Sequence, residues 1–262
     1  MAWFKQEIES LYLDKGLSAI EIGKIKNCSE RNIRYWMEKF GIPRRQYPEA
    51  QKLRYLKNPD KGRLKIDLKP SKDLAYILGV LLGDGWVSKK KGIGRYSGNY
   101  LIGLGVTSKE FAQNFREKLR KIGLNPFIYK RELNKQNPRW KDQYIVEGTS
   151  KEFYLWYKKL SLIDLKEIIG RFETDFIQGF YESEGSLGYR TKNNWRLNIY
   201  NSNKVIIDLV RRLMKKLRFK SSCYESKLEG KKTMYSINLL GGMKEVERFL
   251  FLIKPVIKNL CG

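Results

Sequence analysis

The 262-residue chain is long enough for one large domain or two ordinary ones, and with 42% hydrophobic and 13% aromatic residues it can build a substantial core. Its 53 lysines and arginines against 28 acids leave a net charge of +25, which asks for a polyanionic partner, nucleic acid before any other. No apolar run reaches the ~18 residues of a membrane span, the N-terminus carries charge where a signal peptide is apolar, and histidine is absent.

Residues 1–43 read as a small all-α unit. Phe4, Ile8, Leu11 and Tyr12 recur at helical spacing and Gly16 closes the turn. Ser18 with Glu21 forms a capping box for a second helix. A tight turn through Asn27 and Cys28 then reaches Ser29, the N-cap of a third helix that carries Ile33, Trp36, Met37 and Phe40 and stops at Gly41 and Pro43. Two short helices about such a turn resemble a helix-turn-helix, and Arg31, Asn32 and Arg34 on the second become candidate DNA contacts. A three-helix packing unit with a solvated polar face has the same pattern. Residues 44–72, punctuated by proline and lysine, read as a linker. Cys28, Cys223 and Cys261 have no CxxC spacing and read as reduced thiols of a cytoplasmic protein.

From residue 73 helices and short strands alternate. The apolar helix "LAYILGVLLGDG" (74–85) is followed by strands over 86–90 and 99–106, a helix over 108–124, strands over 127–130 and 143–148, and a helix over 150–160. Residues 171–262 repeat that order: a helix over 174–185, strands over 186–191 and 195–202, a helix over 203–219, strands over 221–227 and 234–240, and a last helix over 242–253. The expected fold is therefore α+β, with two pseudo-symmetric αββαββα halves (73–170 and 171–262) behind the N-terminal unit.

The duplication pairs two acids. Asp84 ends "ILGVLLGDG" and Glu184 ends "IQGFYESEG", each just before a glycine. Each helix also carries two small residues four apart, Gly79 with Gly83 and Gly179 with Ser183, a smooth strip along which two helices can touch backbone to backbone. Packed that way they bring Asp84 and Glu184 together at their C-terminal ends, where the helix dipoles and the second acid both disfavour negative charge. Such a pair wants a cation. Lacking histidine, the chain has no Ser-His-Asp or Cys-His nucleophile and few ways to hold zinc, so the cation expected is Mg²⁺ bound by oxygens, with Mn²⁺ substituting. Glu182, two residues before Glu184, points away on helical geometry.

These two stretches, Ile77–Gly85 and Ile177–Gly185, resemble the paired motifs of single-chain LAGLIDADG homing endonucleases, and the likeness extends over about residues 72–257. The resemblance implies saddle-shaped antiparallel sheets lying along the DNA major groove, with the motif helices forming the interface between halves. It implies a monomer that cuts both strands of a long asymmetric site across the minor groove, leaving short 3′ overhangs. Asp84 and Glu184, with Gly83 and Ser183 just before them, become the metal-holding positions. Metal-bound water would attack phosphorus at each strand while metal stabilises the leaving 3′ oxygen.

Family members usually add a basic or amide side chain just after the second strand of each half. Here Ser108 and Ser202 stand near those places, with Lys109 and Lys204 close by as catalytic candidates or as exposed helix starts. Candidate groove contacts on the strands and turns after each motif are Lys89, Lys91, Arg95 and Tyr100, then Arg190, Lys192, Trp195, Arg196 and Asn198. Alternation puts about half of them on the DNA side without fixing which half. Two rival readings remain. One keeps the fold as a catalytically weak DNA-binding regulator or intron-splicing maturase. The other takes Asp60 and Asp67-Leu68-Lys69 as a faint restriction-type nuclease motif.

Overall fold

The structure, a computed structural model, describes residues 5–57, 66–90, 99–135, 137–189, 195–227 and 229–259. Its contacts divide the chain into two compact units, Met1–Arg63 and Leu64–Gly262. Among the described residues no helix is long and apolar enough to cross a membrane.

In the first unit, α1 (Lys5–Glu9) continues into a π-helical turn (Ser10–Asp14), and Gly16 takes a φ of +65°. The capping box forms at the start of α2 (Ala19–Ile25): the Glu21 N–H donates to Ser18 Oγ at 3.3 Å and the Ser18 N–H to Glu21 Oε2 at 2.7 Å. Ser29 caps α3 (Glu30–Lys39) through the Asn32 N–H. Ile8, Tyr12, Ile22, Ile33, Met37 and Ile42 make a small separate core, which leaves Arg31, Asn32, Arg34 and Tyr35 exposed on one face of α3. The stretch read as a linker instead holds a helix, α4 (Tyr47–Lys57), and the compact unit runs on to Arg63. Arg45 ties this end of the unit down: its guanidinium lies over the Tyr12 ring and donates to the Leu17 carbonyl at 3.2 Å.

The second unit is built from α5 (Lys72–Leu82), β1 (Trp86–Lys89), β2 (Tyr100–Val106), α6 (Lys109–Lys121), β3 (Phe127–Arg131), β4 (Gln143–Thr149) and α7 (Lys151–Lys159). A helix the sequence reading lacked, α8 (Leu162–Ile169), leads to the second copy. That copy comprises α9 (Glu173–Glu184), β5 (Gly185–Tyr189), β6 (Trp195–Asn201), α10 (Lys204–Lys216), β7 (Ser221–Ser226), β8 (Met234–Leu239) and α11 (Gly242–Ile253). Each half contributes a four-stranded antiparallel sheet, ordered β1-β2-β4-β3 and β5-β6-β8-β7. The same alternation places Ile102, Leu104 and Val146 of one sheet and Leu197, Ile199 and Ile237 of the other in a single core with α5 and α9. Leu74 to Leu81 of α5 are all buried, which is why that helix reads as apolar on every side.

Candidate active site and nucleic-acid face

Helices α5 and α9 lie against one another with nothing but backbone at their closest points. A methyl group added at Gly79 would overlap the Phe176 carbonyl oxygen, and one at Gly179 would overlap the Tyr76 carbonyl oxygen. One added at Gly83 would sit 2.5 Å from Ser183 Cβ and 3.0 Å from Glu184 Cγ. Gly79, Gly83, Gly179 and Ser183 thus share one contact strip. A buried hydrogen bond from the Tyr76 hydroxyl to Glu182 also crosses it.

The two helices end differently. The hydrogen-bonded turns of α5 stop at Leu82, the N–H groups of Gly83 and Gly85 both return to the Val80 carbonyl, and Asp84 stands exposed in the turn between them. By contrast α9 runs to Glu184, and Gly185 opens β5 directly, its Cα so close to the Tyr181 ring that no Cβ fits. Glu184 is half-buried next to Gly83, so the acids meet at the joint end of the pair.

Their electrostatics follow from that placement. Desolvation, and secondly the charge of Asp84, push the Glu184 carboxyl up to about 7, against the pull of the Asn201 amide and Lys258. Desolvation also raises Asp84, opposed by Lys258. An acid pair whose ionisation is this disfavoured gains from a cation, and its hard oxygen donors suit Mg²⁺ or Mn²⁺. Among the described residues no group of three or more acids or cysteines could by itself hold a metal, so the fit is for two carboxylates completed by backbone carbonyls, water or phosphate oxygens.

Lys109 and Lys204 are the first residues of α6 and α10, exposed, and among the described residues neither pairs with Asp84 or Glu184; the Lys204 ammonium instead lies over the Tyr235 ring. Ser108 is the cap of α6. The groups that do reach the centre are two others. Asn201, the last residue of β6, donates from Nδ2 to Glu184 Oε1 at 2.8 Å. It lies one position before Ser202, so the expectation of an amide after the second strand missed it by a single residue. Lys258, beyond α11, feels both acids, and its burial lowers its own pKa while their charges raise it. No sequence signal marks Lys258. Glu182 does not join the acid pair: its carboxylate is buried, 1% exposed, and accepts hydrogen bonds from Tyr76, Gln178 and the Val256 N–H.

Register settles the strand faces. Arg196 and Asn198 alternate with buried Leu197 and Ile199 and stand on the side of their sheet away from the helices, beside Tyr200, Ser236 and Asn238. Lys89, Tyr100 and Trp195 stand on the opposite, helix-covered side. Tyr100 packs on Tyr154 of α7 with Lys89 over its ring, and Trp195 packs on Tyr189. They were expected as groove contacts because alternation alone does not say which parity is buried. On the open side of the first sheet lies a residue the sequence reading passed over, Trp86, flat across Gly103 and Gly105. Lys91, Arg95, Arg190, Lys192 and Asp60 lie outside the described residues.

The model of the LAGLIDADG-like domain matches residues 71–162 and 171–254. An uncharacterized protein of Methanocaldococcus jannaschii is 37% identical, over 84% of this chain and 98% of its own length. The homing endonuclease I-DmoI of Desulfurococcus mucosus is 26% identical, over 57% of this chain and 73% of its own. The crystal structure of I-DmoI in complex with DNA and Mn shares the fold, with a TM-score of 0.52 at 22% identity over 70% of this chain and 96% of that one.

Proposed function

The chain belongs to the LAGLIDADG-like domain family, and on that premise we propose that it is a site-specific, divalent-metal-dependent double-strand DNA endonuclease of the homing type. It acts as a monomer on a long asymmetric site and hydrolyses one phosphodiester per strand across the minor groove, leaving short 3′ overhangs. The single observation that carries this reading is the acid pair, Asp84 beside Glu184 at the joint end of α5 and α9, with Glu184 held near 7.

Asp84 and Glu184 would hold Mg²⁺ or Mn²⁺, with the Gly83 and Ser183 positions completing the donor set. A bound divalent ion supplies an acidified water and neutralises charge on the phosphate and the leaving 3′ oxygen. Asn201 fixes the rotamer of Glu184 through its 2.8 Å hydrogen bond. Arg196 and Asn198 carry the side chains that pair with guanine and adenine edges. Arg31, Asn32 and Arg34 on α3 add contacts from the N-terminal unit, and the excess of lysine and arginine binds phosphates.

The test is selection of cleaved sites from a randomised DNA library with the full chain and Mg²⁺. Double-strand breaks with short 3′ ends are expected, abolished by Asp84→Asn or Glu184→Gln with DNA affinity largely kept. Full cleavage by Asp84→Asn overturns the assignment. A second reading, a DNA-binding regulator or splicing maturase with weak cleavage, draws support from the exposed positions of Lys109 and Lys204 and from Val106, which stands two residues before its helix cap just as Asn201 does. Sequence-selective binding with no cut at any site would favour it.

A further inference from the structure

The tail behind α11 is strapped onto α9 by several bonds, whereas among the described residues α7, the counterpart of α11, gives α5 only the Tyr157 hydroxyl on the Leu81 carbonyl at 3.4 Å. At Lys254 the chain leaves α11 through a left-handed conformation, φ +52°, and its carbonyl accepts from Gln178 Nε2 at 2.9 Å. The Val256 N–H donates to Glu182 Oε1 at 2.8 Å, and the Tyr181 hydroxyl donates to the Lys258 carbonyl at 3.0 Å. In the other copy the positions of Gln178 and Glu182 are Leu78 and Leu82. A buried carboxylate is costly unless every oxygen is used. Glu182 meets that condition by taking one bond from Tyr76 across the helix interface and two on its other oxygen, one of them from the strap.

What the strap delivers is an ammonium. Lys258 Nζ donates to the Glu182 carbonyl at 2.7 Å and to the Ser183 carbonyl at 2.9 Å, groups that a helix C-terminus leaves without intrahelical partners. Its charge acts on both Asp84 and Glu184. Among the described residues no side-chain cation is bonded in this way at Gly83, so the two sides of the acid pair are unequal.

We propose that Lys258 is a resident cation of the acid pair, held by the Gln178–Glu182 strap on the α9 side, so that a divalent ion binds in competition with it and from the Asp84 side. The part of this that concerns divalent ions rests on the metal-centre reading above. The seat of the ammonium on the Glu182 and Ser183 carbonyls, next to the acids, does not, and it is tested without metal.

Two measurements on the full chain decide it. In EDTA, the melting temperatures of wild type, Lys258→Met, Glu184→Gln and the double variant form a cycle. The loss caused by Lys258→Met is expected to be about 2–4 °C and to shrink clearly in the Glu184→Gln background. Mn²⁺ alone, counted by electron paramagnetic resonance, is expected to bind Lys258→Met about tenfold more tightly than wild type, because a fixed positive charge near the ion is gone. Lys258→Gln keeps a donor for the Ser183 carbonyl and should behave likewise if the methionine variant folds poorly. Lys254→Met removes a charge from the same strap without touching the acids and should leave Mn²⁺ binding unchanged. Additive melting shifts, or Mn²⁺ affinity equal in wild type and both Lys258 variants, would overturn the proposal. A library showing no cleavage alongside a tenfold gain in Mn²⁺ binding would instead sink the nuclease reading and leave this one standing.

Discussion

The two halves of the second unit share a frame and differ in nearly everything polar. In the first half α5 ends in a turn that leaves Asp84 exposed, Val106 sits where an amide would reach it, and the open sheet face is aromatic, with Trp86 flat on Gly103 and Gly105 and Phe127 stacked on Tyr129. In the second, α9 runs straight into Glu184, Asn201 bonds it, the strap brings Lys258, and the open face carries Arg196, Asn198, Asn238, Tyr200 and Ser236. Backbone geometry survives duplication because the helix strip tolerates nothing larger than glycine or serine. Side chains that face outward or meet a segment present only once are free to diverge.

The shared frame is the sharpest place to break the comparison. Gly79→Ala and Gly179→Ala each drive a methyl into a carbonyl oxygen of the facing helix, where the obstacle is backbone and cannot turn aside. Each is expected to cost about 3 kcal/mol or more in urea unfolding, at or above the usual range for overpacking. Gly188→Ala, on the open face with nothing within 4 Å, is the matched control and should leave the midpoint unchanged within error. Equal effects at Gly188 and Gly179 would mean that the halves are not joined along this strip.

A smaller effect separates the polar half from the apolar one. Glu182→Leu makes α9 resemble α5 at this position, but it strands the Tyr76 hydroxyl and the Val256 N–H in a buried place. The expected loss is about 2–3 kcal/mol by urea unfolding, the desolvation penalty of unpaired groups. Adding Tyr76→Phe should recover part of it, since removing both partners costs less than removing one. No recovery would show that the hydrogen bond is not what Glu182 contributes.

How legible these differences are in sequence depends on repetition. One apolar stretch ending in an acid is a weak motif. Two of them with Gly79/Gly83 and Gly179/Ser183 at the same spacing identify the helix pair and the acids at its end, because the strip and the carboxylates must be explained together. The places of the strands along the chain are equally readable from alternation. Register is not: Trp195 and Arg196 are neighbours on opposite faces, and nothing local tells which is covered. Glu182 and Lys258 occur once, and the partners Tyr76 and Val256 of the one and Glu182 of the other lie more than seventy residues away, so no periodicity reveals them. The helix α4 escaped for a different reason: Pro48 and the lysines around it look like a linker, although Glu49, Ala50, Lys52 and Leu53 are ordinary helix residues and Leu53 rests on Gly16.

The faces themselves predict a split in DNA reading. On the proposed function, Arg196→Ala and Asn198→Ala should relax sequence preference at the base pairs they meet, by about 1–3 kcal/mol of discrimination each, measured by site selection on the randomised library. Lys89→Ala, on the helix-covered side, should leave the selected sequence as it is. Trp86→Ala should weaken binding through lost apolar contact without moving the preference toward particular donors. An altered preference from Lys89→Ala but not from Arg196→Ala would reverse the assignment of the two faces.

The gentlest probe is pH, and it isolates Glu184 from Asp84. With a folded-state value of about 7 against an ordinary carboxyl near 4.5, Glu184 holds its proton more tightly folded than unfolded. Its contribution to stability is therefore complete below the ordinary carboxylate range and is lost as pH rises through about 7. Asp84 adds in the same direction, and the groups acting on the pair, Asn201 and Lys258, oppose the rise. Metal-free protein should melt lower at pH 8 than at pH 6, Glu184→Gln should flatten that slope, and Mn²⁺ should restore stability most at pH 8, where both carboxylates are ionised. A slope that persists in Glu184→Gln would assign the titration to Asp84, the exposed member of the pair, and would make the half with the simpler surroundings the one that governs metal binding.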